Sequence, residues 1–399
     1  MTDSYTFEYR PATIRHGSGA VAALDDELDR LGDSRALVVC GSTVGSTPAV
    51  VDPVTAGLDD RLVGVFDEVS AAKRIGTAAR AAERVHAENA DAVVALGGGS
   101  ALDTAKVVAV LAGHDDPTAA AERMADAETV TVPDGDLLDV VAIPTTLPGA
   151  DLSQVAGVTY GLDDTVPPEE QPSGGVGDPR LMPELVVHDP ELLKETPDEI
   201  LARSAMNGFD KGVELLYASD NTPITDGVAV RGLRLLQNSL PELPDSASEA
   251  ALSDALAGIA CAQYGVSTPR GYRASIIHAF GHALSRRYPI QQGVAHAIAA
   301  PHVLAYIFEH VDGRRELLAE AFDVDATDPE KQGAAVVDAV VEVRDGLGLP
   351  SQLRDVDGAQ KADFPELAQA VVEDSFMAAA PAGLNADAAT LEGVFEAMW

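Results

Sequence analysis

The first half of the chain alternates short, unbroken apolar runs with longer stretches whose apolar positions recur at helical spacing. Residues 35–40 (RALVVC) predict a buried strand that ends in the turn-rich Gly41-Ser42-Thr43. A helix is predicted across 71–88, where alanines and apolar residues share one face. Residues 91–96 (DAVVAL) read as a second buried strand that stops at Gly97, with a helix starting near Ala101. Further strands are predicted at 140–144, ending at Thr145-Thr146, and at 185–189. The stretch 161–180 is rich in Pro, Gly and acids and predicts a loop. From about 197 onward helical periodicity takes over, at 197–218, 224–242, 248–265, 274–287 and 293–311. This order predicts an α/β N-terminal dinucleotide-binding domain with a mainly parallel sheet over 1–192. An all-α C-terminal domain carrying the substrate chemistry is predicted over 193–399.

Composition narrows the functional classes. No apolar run reaches about 18 residues, so no membrane span is expected. The first residues lack a basic segment followed by an apolar one, which makes a cytoplasmic location the expectation. Cys40 and Cys261 stand far apart without CxxC spacing, so neither a disulfide framework nor a zinc knuckle is expected. Acids outnumber bases 64 to 27, a formal net charge of −37, which argues against nucleic acid as a partner. The acids recur along the chain instead of forming a tail, as a solvated surface suited to high salt would require; a halophile's cytoplasm is the expected setting.

The most informative run is GGGSALDTAK, Gly97 to Lys106. Here a buried strand runs into three glycines and Ser100, and a helix follows at once. Glycine lets a backbone approach a pyrophosphate, and free N–H groups at a helix start favour its negative charge. Asp103 and Lys106 lie three apart on that helix, so both can face one side. A glycine turn alone could equally be a tight strand-to-helix connection; the whole string is far more specific.

That string resembles the iron-containing alcohol dehydrogenase superfamily, and the resemblance covers nearly the whole chain. IRHGSGAVAAL looks like the family's first glycine turn, AIPTTLPGADLS like its PTT-type loop without the usual GTGSE continuation, and VVHDPEL like the approach to its second domain. HAFGHALSRRYPIQQGVAHAIAAPHVLAY resembles the histidine-bearing helix and turn. The resemblance implies a dehydroquinate synthase-like fold and a dehydrogenase that binds its cofactor between two domains. It implies that Gly97, Gly98, Gly99, Ser100 and Asp103, with Lys106 beside them, line the pyrophosphate and nicotinamide side. Thr145 and Thr146 are expected near the adenine end. NAD-preferring relatives often carry an Asp where this chain has Gly41 and Ser42, so either NAD or NADP is permitted, with NADP slightly favoured.

Metal-dependent members hold iron or zinc with an Asp, a His four residues on, and two further His. The matching positions here are Asn207, Lys211, His278 and Gln292, so one ligand of four survives. Asn and Gln are weak neutral ligands and an ammonium repels a divalent cation, so no catalytic metal is expected. Asp210 lies roughly 100° around the helix from Lys211 and cannot take over its face.

A carbonyl that accepts hydride needs positive charge near its oxygen. Lys211 is therefore the candidate electrophile, and a desolvated ammonium also gives up a proton more readily. The alternative is an ordinary lysine paired with Asp210 or Glu214. His278 is expected to orient substrate and His282, one turn on, to relay a proton toward the cofactor ribose, with Asn207 completing the catalytic set; a structural histidine is the alternative for each. His302 is read as packing.

Asn207, His296 and the stretch VELLYASDNTPITD place maleylacetate reductases nearest in places, although Lys211 and Gln292 depart from them. The expected reaction is reversible hydride transfer between NAD(P)H and a small carbonyl, alcohol or enone substrate. Arg273, Arg286 and Arg287 could hold a carboxylate or phosphate, or simply pair with acids. A catalytically silent nucleotide-binding homologue and a dehydroquinate synthase-like lyase are the other readings. The resemblance also suggests a homodimer.

Overall fold

The computed structural model describes residues 5–10, 12–219, 221–244, 247–269 and 271–399, apart from the side chain of Glu169. The chain divides into two compact units, one spanning Glu8–Thr196 and the other Pro197–Trp399 together with described residues 5–7. The expected first domain began at residue 1, and residues 1–4 and 11 lie outside the described set.

The first unit is built on six parallel strands: β1 (Thr13–His16), β2 (Ala36–Gly41), β3 (Leu62–Val69), β4 (Ala92–Gly97), β5 (Asp139–Pro144) and β8 (Leu185–His188). Two further strands, β6 (Val155–Thr159) and β7 (Ser173–Gly177), form a separate antiparallel hairpin. The sheet order is β1-β8-β5-β4-β2-β3. Every residue of β4 is buried, as the unbroken apolar runs predicted for a sheet covered on both faces. Because β2 continues to β3 on one side while β4 continues to β5 on the other, the strand order reverses between β2 and β4. In open α/β sheets ligands bind beyond the carboxyl ends of strands at such a reversal.

Three local expectations are corrected. The 71–88 helix starts only at Ile75, because Lys73 takes a left-handed φ of 51° and Arg74 bridges to Thr159. The 161–180 loop contains β7, whose glycine-rich sequence hides the strand that backbone pairing with β6 makes. Strand β3 went unpredicted, since its residues are mostly half-buried and carry Asp67 and Glu68.

The second unit is helical: Asp198–Tyr217, Pro223–Ser239, Glu249–Gln263, Ile276–Arg287 and Gln292–His310 match the predicted periods within two or three residues. Pro223 sits at the first helical turn behind a Thr222–Thr225 capping box. Further helices follow at Arg315–Ala321, Pro329–Gly346, Phe364–Glu373 and Ala388–Ala397. Among the described residues no helix is long and apolar enough to cross a membrane.

Candidate active site

At the strand-order reversal, β4 ends in Gly97 and the Gly99–Ala112 helix begins two residues later. Gly97 has φ +139°, which a side chain would strain. A Cβ on Gly98 would lie 3.1 Å from Thr146 Oγ1. The turn is therefore bare backbone backed by the Thr145-Thr146 loop, whose Thr145 N–H donates to Gly97 O at 3.0 Å. Gly41 and Ser42 stand at the end of β2, the neighbouring strand, where a four-residue helix starts. Exposed N–H groups at a helix start, flanked by glycines, fit a dinucleotide pyrophosphate.

Asp103 and Lys106 do share one face of that helix, but they grip protein. Asp103 Oδ2 accepts from Gly157 N at 3.1 Å and pairs with Lys73 Nζ at 3.0 Å. Lys106 is fully buried and donates to the carbonyls of Ala150, Ser153 and Val155 at 2.7, 2.6 and 3.2 Å. An ammonium has three donors, so Lys106 has none left for a phosphate. Its expected cofactor contact is corrected to a structural hold on the segment between β5 and β6.

In the helical unit, Asn207, Lys211 and Glu214 project from Asp198–Tyr217 at helical spacing. Asn207 Nδ2 donates to Gln292 Oε1 at 3.3 Å. Lys211 is buried, at 6% exposure. Glu214, absent from the expected site, is fully buried and takes four donors: Ser275 N at 2.9 Å, His278 N at 3.0 Å, Tyr217 OH at 3.3 Å and His278 Nδ1. With Nδ1 spent there, His278 Nε2 becomes the acceptor, and it has no partner among the described residues. The Asn207 Oδ1 is likewise buried and unpartnered.

His296 packs against His278 with ring centroids 4.3 Å apart. It lies over Gly281, where a Cβ would come within 2.3 Å of its ring. Asp210 faces His296 Nδ1 at 3.3 Å. Burial dominates the electrostatics here. It holds His278 well below its usual range and lowers His296 to about 3, and the Lys211 charge adds to both effects. Burial also raises Asp210 well above the carboxylate range, aided by Glu214, and pushes Glu214 up to about 7 against its two backbone N–H bonds. Both imidazoles are therefore neutral at pH 7.

His282 Nδ1 bonds Asp374 Oδ2 at 2.9 Å, and Phe376 tilts against its ring at 4.9 Å. Of the three candidate arginines, Arg273 is buried and donates to Gly265 O and Thr268 Oγ1, and Arg287 pairs with Asp363 at 2.8 Å. Arg286 and Arg287 are both exposed, and Arg286 lies 3.9 Å from Asp374. His302 is half-buried, and burial lowers its pKa.

The four positions that hold metal in the resembling family thus carry two amides, one imidazole and a lysine. The amides bond each other, and an amine in the remaining place repels a cation, so this donor set does not fit iron or zinc. Among the described residues no group of three or more His, Cys, Asp and Glu is placed to hold a metal ion.

The profile described as iron-containing alcohol dehydrogenase matches residues 11–190, and that of the Fe-containing alcohol dehydrogenase family, C-terminal, matches residues 201–396. Lactaldehyde reductase of Escherichia coli (strain K12) is 27% identical over 394 residues, covering 96% of each chain. Maleylacetate reductase of Rhizobium sp. (strain MTP-10005) is 28% identical over 402 residues, covering 98% of each. The crystal structure of a 1,3-propanediol oxidoreductase superposes with a TM-score of 0.86 at 20% identity, covering 99% of this chain and 100% of that one, which bears on the fold. The chain belongs to the iron-containing alcohol dehydrogenase family and is an NAD(P)-dependent oxidoreductase of the alcohol dehydrogenase and reductase type.

Proposed function

We propose that the protein interconverts a small carbonyl or enone and its reduced form, without a catalytic metal and with Lys211 as the electrophile. The observation that carries this reading is the makeup of the four ligand positions: an Asn207–Gln292 amide pair, a buried lysine, and a neutral His278 with its Nε2 open. A bound nicotinamide supplies or takes the hydride. Gly97, Gly98, Gly99 and Ser100 cradle the pyrophosphate by backbone N–H groups, with Thr145 and Thr146 behind them. The missing carboxylate at Gly41 and Ser42 leaves room for a 2′-phosphate, which favours NADP over NAD.

Lys211 donates a charged hydrogen bond to the substrate oxygen, worth most where water is excluded. His278 Nε2 and Asn207 Oδ1 are acceptors for a substrate hydroxyl and fix its orientation. Glu214 holds His278 in the form that keeps Nε2 open. His282, on the same helical face one turn away, carries the proton in and out. The acidic surface belongs to a protein that works in high salt.

Lactaldehyde and maleylacetate, each with NADH and NADPH, are the probes. In the Lys211→Met enzyme kcat should fall on the order of 10²–10³-fold, while the NAD(P)H dissociation constant stays unchanged. Undiminished turnover, or stoichiometric iron or zinc in the purified active protein, would overturn the reading.

A further inference from the structure

His282 hangs on a carboxylate that does two jobs. Asp374 Oδ2 meets His282 Nδ1 at 2.9 Å, while Oδ1 of the same group accepts from Phe376 N at 3.0 Å. The second bond caps the short helix Ser375–Ala379. That turn then lays the Phe376 ring against His282, centroids 4.9 Å apart, and edge-on to His278 at 5.8 Å. The Asp374 side chain is 4% exposed and cannot swing without losing the cap. Arg286 shares the outer oxygen at 3.9 Å but is 69% exposed, so it contributes little.

We infer that Asp374 is the positioning residue of the reaction: it selects the His282 tautomer that carries its hydrogen on Nδ1, the tautomer in which Nε2 is the acceptor. An ionised carboxylate only accepts hydrogen bonds, so the imidazole nitrogen facing it must carry the hydrogen. The cap determines which oxygen faces the ring, and Phe376 fixes the ring plane. Nε2 is then the nitrogen offered to a hydroxyl proton. This inference rests on the proposed relay role of His282.

Asp374→Asn separates the two jobs. Phe376 N still needs an acceptor, so the amide oxygen stays at the cap and the NH2 group takes the place of Oδ2. A donor now faces Nδ1, and the hydrogen of His282 moves to Nε2. The cap survives, since Asn caps about as well as Asp; the acceptor is lost. The same logic governs the buried aspartate of serine proteases, whose Asn variant holds the wrong tautomer.

The test pairs kinetics with spectroscopy on the full chain. With lactaldehyde and NADPH or NADH, Asp374→Asn should lower kcat on the order of 10²-fold with little change in KM. In a His282→Ala background the same substitution should change kcat less than twofold, whereas a purely structural loss would persist there. Histidine 15N spectra, with the His282 signals assigned from their absence in His282→Ala, should show Nδ1–H in the parent and Nε2–H in Asp374→Asn. An Nε2–H form in the parent, an unmoved proton in the variant, or an equal kcat loss in both backgrounds would overturn the inference. The spectra need no turnover and can be recorded on the Lys211→Met protein too. A failure of the Lys211 mechanism is thereby told apart from a failure of this one.

Discussion

Asp33 lies just ahead of β2 with 8% of its surface exposed, at the sheet end opposite the glycine turn. Asp91, Asp139 and Glu184 stand at the same end of the neighbouring strands. Burial, then the charges of Asp139 and Asp91 and a hydrogen bond shared with Asp139, push the Asp33 carboxyl up to about 7. An acid raised in this way binds its proton more tightly folded than unfolded, so stability falls as pH rises from about 4 to about 7 and then levels off. Asp33→Asn removes that penalty. It should raise the thermal midpoint at pH 8, by about 1–3 kcal/mol of stability, and leave it nearly unchanged at pH 4. Calorimetry at the two pH values checks this; a lower midpoint at pH 8 would show that the carboxylate is favourably held. The four positions Asn207, Lys211, His278 and Gln292 were legible only through the family resemblance; helix geometry adds that Asn207 and Lys211, four apart, share a face. Glu214 and Asp374 were not: in a chain with 64 acids, no local mark separates a carboxylate that grips a buried histidine from a solvated one.

The Gly99–Ala112 helix ties the first unit together through its inward face. Lys106 reaches three carbonyls between residues 150 and 155, and Asp103 holds Gly157 N and Lys73. Lys106→Met would take a donor from three carbonyls, one buried and two partly so. Each such loss costs about 1–3 kcal/mol, so the variant should lose at least ~2 kcal/mol even after partial rewetting. Denaturant unfolding would reveal it, and a variant that unfolds like the parent would restore the idea of a free lysine near phosphate. The glycine turn itself was legible, because glycine after a buried strand reports a local backbone demand. What the face after it holds was not, since the carbonyls that Lys106 reaches and the Gly157 N–H that Asp103 holds lie more than 40 residues downstream, and Lys73 lies 30 residues upstream. The same limit concealed the β6–β7 hairpin, whose Gly174 and Gly175 say turn while long-range pairing says strand.

For the whole molecule, a formal charge of −37 is large against any pairwise contact described above. Self-repulsion on this scale opposes compaction and is relieved as the Debye length shrinks from about 10 Å at 0.1 M salt to about 3 Å at 1 M. Stability should therefore rise steeply with KCl between 0.1 and 2 M. Salting-out of apolar surface acts in the same direction, so a rise alone does not identify the cause. Removing charge without touching the core separates the two. Asp26, Asp60, Asp126 and Asp357 are all exposed, and their joint replacement by Asn leaves apolar burial as it was. If repulsion dominates, the quadruple variant gains stability at 0.1 M KCl and shows a shallower dependence on KCl, the two proteins converging near 2 M. Parallel curves would assign the salt effect to apolar burial instead and leave the acidic surface without a stabilising setting. Because screening acts on exposed charge and spares buried groups, the Lys211–His278 cluster should keep its chemistry across the same range, so kcat should follow the folded fraction.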